Sequence, residues 1–131
     1  MIAEFFPLST LKSLISHHIA LIDRSDTFTT QEFALMYLKM EDVDDLELKK
    51  SIQIVFRDSD IIFDSGKNYI ILLPKTNWNG AYELLHGLQE FLNQELQDSI
   101  VTYPDDGEES EVLIDSFKNV VKKYYDCELN L

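Results

Sequence analysis

From Leu8 to Ile22 the chain sets Leu8, Leu11, Ile15, Ile19 and Ile22 three or four residues apart, the spacing of a single apolar stripe on a helix. The period predicts a helix over 8–22, with Ser9 or Thr10 placed to cap it. The polar stretch DRSDTFTTQE follows as a loop. FALMYLKM, residues 33–40, then drops the helical period for nearly continuous apolar character, as a strand covered on both faces would show. EDVDDLELKKSIQIVFR returns to the helical period. Its acidic start suits a helix N-terminus, and Leu48, Ile52, Val55 and Phe56 fall on one side.

Two short apolar runs come next, DIIF and YIILLP, joined by DSGKN, whose Gly and Asn tolerate positive φ. Pro74 and KTNWNG close the second run. A wide stripe of Ala81, Leu84, Leu85, Leu88, Phe91, Leu92 and Leu96 predicts a strong helix. SIVTY predicts a short strand and PDDGEE a turn. Leu113, Phe117, Val120, Val121 and Tyr124 predict a last helix. After the first helix the order is strand, helix, strand, strand, helix, strand, helix. Helical crossovers imply parallel pairing, and the short central turn implies an antiparallel hairpin. The pattern is that of an α/β (α+β) protein with a ferredoxin-like βαββαβ mixed sheet, helices on one face of it, and an added N-terminal helix.

Length and composition narrow the class. The 131 residues, with 45% hydrophobic content, suit one domain with its own core; it divides into a helix and loop over 1–30 and the sheet-bearing core over 31–131. No apolar run approaches the ~20 residues of a membrane helix, and the N-terminus lacks the pattern of a secretion signal. Cys127 is the single cysteine, so no intramolecular disulfide forms and the cytoplasm is the expected compartment. Twenty-four acidic against 11 basic side chains leave a formal charge of -13. Such a surface repels phosphate backbones, which excludes nucleic acid as a partner and implies solubility or a basic protein partner.

The residues also carry a family resemblance. YIILLPKTNWNGAYELLHGLQEFL is similar to the segment after the signature turn of GGDEF domains, the diguanylate cyclases. In that family an aromatic residue, an aliphatic strand ending in Pro, a Thr-containing loop and a Gly-Ala helix start follow in this order. SIVTYPDDGEESEVLI resembles the family's last strand, Tyr-Pro, acidic-Gly loop and final helix, and FRDSDIIF resembles its entry into the hairpin. The likeness spans residues 33–125 and implies a fold of the nucleotidyl-cyclase type. The family's activity joins two GTP molecules into cyclic di-GMP, with divalent metal on strand carboxylates and phosphates against a Gly-rich turn.

Here the resemblance implies lost chemistry. With Tyr69 set against the signature Phe, the turn becomes Ser65-Gly66-Lys67-Asn68, so a lysine and an amide replace the two acidic positions. On the first strand KME stands where the family has Asp, an aliphatic residue and Asp, so Lys39 replaces one carboxylate and Glu41 alone stays acidic. The substrate-binding insertion between strand and hairpin is missing, about three helical turns of chain, as is the N-terminal Asp-x-Leu-Thr-Gly-Leu signature. The resemblance implies no catalytic residue, no metal and no cofactor. Arg57 and Asp60 fit the family's Arg-x-x-Asp inhibitory site, where Arg would pair with phosphate or guanine and Asp would accept guanine N–H groups. The same four residues equally suit a helix C-terminus and the turn into a strand.

Other polar groups carry less. His17, His18 and His86 lack metal-ligand spacing, and EDVDD lacks the Gly and closing Glu of a calcium loop. PDDGEE reads as a solvated turn, Tyr124, Tyr125 and Trp78 as packing or rim residues, and no serine sits in a nucleophile elbow. The expected function is a non-catalytic, GGDEF-like regulatory or protein-interaction module of the bacterial cytoplasm, a standalone chain docking a protein partner through its N-terminal helix. The alternative is a cyclic di-GMP receptor using Arg57 and Asp60. A third reading is an unrelated ferredoxin-like interaction domain. Monomer and homodimer both remain open.

Overall fold

The computed structural model describes residues 4–24, 32–39, 45–57, 60–65, 68–93, 95–126 and 129. They form a mixed α/β protein with a five-stranded sheet and four helices: β1 (Glu4–Pro7), α1 (Leu11–Arg24), β2 (Phe33–Leu38), α2 (Asp45–Val55), β3 (Ile61–Ser65), β4 (Asn68–Pro74), α3 (Trp78–Leu92), β5 (Ile100–Tyr103) and α4 (Ser110–Tyr125). The sheet order is β1-β3-β4-β2-β5. Pairings β3–β4, β4–β2 and β2–β5 are antiparallel, and β1–β3 is parallel.

The interior strand β2 shows why its sequence has no alternation. All six residues of β2 are buried. Phe33, Leu35 and Tyr37 point to one face, where they meet Leu11, Ile15 and Ile19 of α1 and Leu113, Phe117 and Val121 of α4. Ala34, Met36 and Leu38 point to the other face, against Ile52 of α2 and Ala81, Leu85 and Leu88 of α3. Each such large apolar side chain contributes about 1.5–3 kcal/mol by leaving water. Strand β4 divides in the same way, with Ile70 and Leu72 toward α1 and α4 and Ile71 and Leu73 toward α2 and α3.

Three expectations are corrected here. The helices do not share one face; α2 and α3 cover one side of the sheet, α1 and α4 the other. The crossover strands are not neighbours, because β4 lies between β2 and β3 and is antiparallel to both. Residues 1–30 are not simply helix and loop, since Glu4–Pro7 adds an edge strand beside β3 in register from Glu4↔Ile61 to Pro7↔Asp64. Four residues ending in proline are too few to show a period, and only the partner strand defines them.

Local chemistry sets the ends of the elements. A 3-10 turn at Leu8–Thr10 leads into α1, and the Thr10 hydroxyl donates to the Pro7 carbonyl at 2.7 Å. Asn77 caps α3 by accepting the Gly80 N–H at 2.8 Å, so the helix starts at Trp78, three residues before the apolar stripe suggested. The left-handed Asn93 (φ 52°) closes that helix before Leu96, which is buried beyond its end. The hairpin strands extend into DSGKN until only residues 66 and 67 separate them.

Candidate functional site

Two regions stand out by residue type, and the fold positions each differently. The first is the hairpin end of the sheet. Strand β2 stops at Leu38, opposite Tyr69 of β4, and Lys39 follows at once on the surface. Asn68 opens β4 and pairs with Ser65 at the end of β3. The register therefore gathers Lys39, Ser65 and Asn68 at one end of three adjacent strands. Glu41, Gly66 and Lys67 lie outside the described residues, as does Cys127. Among the described residues no three His, Cys, Asp or Glu side chains come together in a way that could hold a metal.

The second region is Arg57–Asp60, and here the two side chains bind each other. Oδ2 of Asp60 accepts the Arg57 backbone N–H at 2.8 Å and Nε at 3.3 Å, and Oδ1 accepts Nη2 at 2.8 Å. The Asp60 N–H returns to the Arg57 carbonyl at 3.0 Å, closing a tight turn between α2 and β3. Nη2 also donates to Thr76 Oγ1 at 2.7 Å and to the Pro74 carbonyl at 3.3 Å, while the Thr76 hydroxyl donates to Pro74 O at 2.8 Å. Asp60 is 1% exposed and the Arg57 side chain 47%. The guanidinium thus ties the α2–β3 turn to the β4–α3 connection. Asp60 is buried beneath the guanidinium that both its oxygens hold, so a guanine edge would have to displace Arg57 to reach them. Neither Thr76 nor Pro74 could be assigned to this network from the spacing of Arg57 and Asp60 alone.

The histidines stay apart. His18 lies edge-on to Phe33, with centroids 4.9 Å apart. Burial first, and neighbouring His17 second, lower its pKa below the ordinary 6.5. On α4 it is Tyr125 that turns inward, its ring 5.5 Å from Tyr37 and its hydroxyl accepting the Gln97 N–H at 2.8 Å, whereas Tyr124 is 42% exposed. Burial raises the Tyr125 phenol above 10, against the lowering effect of its hydrogen bonds. The apolar stripe of α1 is consumed by the core at Leu11, Ile15 and Ile19, so docking through that stripe is not available. No described helix is long and apolar enough to cross a membrane.

One further constellation joins residues that the sequence presents only as rim and packing. Along α3, Trp78 stacks on Tyr82 at 5.2 Å and 15°, Tyr82 meets His86 at 4.0 Å, and His86 Nε2 reaches Asp98 Oδ1 at 3.5 Å. The signal was present in the sequence as an aromatic i, i+4, i+8 series. With this geometry in view, no family model and no curated protein matches the chain.

Proposed function

We propose that this protein is a non-catalytic, GGDEF-like interaction module of bacterial cytoplasmic signalling, with a ferredoxin-like core of the nucleotidyl-cyclase type. The observation that carries the reading is the meeting of Lys39, Ser65 and Asn68 at the hairpin end of β2, β3 and β4. The strand order β3-β4-β2-β5, antiparallel throughout, agrees with a βαββαβ core. A metal-dependent phosphoryl transfer at that end would need carboxylates to neutralise phosphate. The sequence instead supplies a lysine after β2 and an amide at the start of β4. Magnesium and GTP incubated with the purified protein should yield no cyclic di-GMP by mass spectrometry. Its appearance would overturn the proposal.

The receptor alternative has a separate test. Calorimetry with cyclic di-GMP should give no heat, because the Asp60 oxygens already hold the guanidinium. Saturable heat that Arg57→Ala abolishes would establish the receptor instead.

A further inference from the structure

We infer that the flank of α3 bearing Trp78, Tyr82 and His86 is a docking surface for an arginine- and lysine-rich segment of a partner protein. The charge distribution is the first support. From Thr76 to Phe117 the sequence holds ten carboxylates and not one lysine or arginine, whereas all 11 basic residues lie outside that stretch. The chain's net negative charge is therefore concentrated in α3, the connections on either side of β5 and the start of α4, and β5 forms that edge of the sheet.

The second support is the shape and chemistry of the flank. Residues 78, 82, 86 and 90 follow one i, i+4 ridge. Trp78 is 40% exposed and the His86 side chain 39%, so aromatic surface is open to solvent along the ridge. The ridge continues into exposed Glu90, Glu83 is exposed on the same helix, and Asp98 meets the ladder at His86. Aromatic faces attract guanidinium and ammonium groups, and Arg also stacks on them. Carboxylates beside such faces supply the complementary charge, and a surface of one sign steers the approach of the other. A basic segment satisfies both features. An anionic ligand satisfies neither.

The inference stands whether or not the chain is related to cyclases, so absence of cyclase activity leaves it untouched. Trp78 is the only tryptophan, and its emission reports directly on the ridge. Nona-arginine is titrated into the full chain while that emission is followed, beside the variants Glu83→Lys/Glu90→Lys and Glu47→Lys/Asp64→Lys, the last being a charge reversal of the same size at exposed positions of α2 and β3. The expected result is a saturable change in Trp78 emission, weakened about tenfold or more by Glu83→Lys/Glu90→Lys and less than about twofold by Glu47→Lys/Asp64→Lys. Circular dichroism of each variant verifies the fold. Equal weakening by both reversals would mean diffuse attraction and overturn the proposal, as would a Trp78 signal that never changes. A Trp78 signal that shifts with protein concentration alone, together with dimer in sedimentation, would replace the basic segment with a second copy of the chain.

Discussion

Arg57 shows how one side chain can be read in two ways until its neighbours are known. Its guanidinium serves Asp60, Thr76 and Pro74 together, and the buried carboxylate depends on it. Arg57→Ala should cost about 1–3 kcal/mol, since Asp60 would keep only the Arg57 backbone N–H among these donors while the half-exposed guanidinium limits the loss. Arg57→Lys should fall between the variant and the wild type, because an ammonium cannot reproduce the paired bonds. Urea denaturation measures both, and a neutral Arg57→Ala would contradict the clamp. His18 supplies a pH dependence. Its folded pKa lies below the unfolded 6.5, so the unfolded chain binds the proton more readily. The stabilisation is present above the unfolded value and is lost as pH falls through the folded one. Between about pH 7 and pH 5 the wild type should lose more stability than His18→Leu. Equal losses in the two proteins would count against it. At this scale the sequence displayed the Arg-x-x-Asp spacing and hid its partners, because Thr76 is 19 residues from Arg57 and only the pairing of β3 with β4 brings the two connections together.

Among the elements, those with a long period were legible and the edges were not. The stripes of α1, α3 and α4 and the unbroken apolar run of β2 were visible directly, because each buries a repeated set of positions. Strand β1 was invisible, since four residues become a strand only beside β3. The side on which each helix packs was also hidden, because a stripe says that a face is buried and not against which surface. Strand β5 explains a further detail of the acidic turn. The Thr102 N–H donates to Asp106 Oδ2 and its carbonyl accepts the Asp106 N–H, both at 2.8 Å, while the Ile100 N–H goes to Asp98 O at 3.0 Å. An edge strand with free ladder groups would invite another strand, and here the chain's own loop takes those groups. Asp106→Ala should cost about 1 kcal/mol and raise self-association at high concentration, measured by sedimentation velocity. A variant as monomeric and stable as the wild type would show that the carboxylate does not guard the edge.

For the whole molecule, the two helical layers and the sheet between them recruit their parts from far along the chain. Strand β2 receives β4 on one side and β5 on the other, both later in sequence. A chain ended at Asp98 would keep the β2–β4 pairing and lose β5 and α4. It would expose Phe33, Leu35 and Tyr37 on the face that Phe117 and Val121 cover. That truncation should be insoluble or bind a hydrophobic dye strongly, whereas the full chain should not. A soluble, folded truncation would show that the α2–α3 layer is sufficient alone.

The interior position of β2, between β4 and β5, has a consequence during synthesis. FALMYL leaves the ribosome early, but its second edge waits for Ile100–Tyr103, more than sixty residues later. At about 5–20 residues per second, an all-apolar strand stays unclosed on one side for several seconds. Through that interval the unpaired edge of the strand is open to provisional collapse or to contact with other chains. The vulnerable moment of this protein is therefore set by the order of its strands, before the native state exists to be stable or unstable.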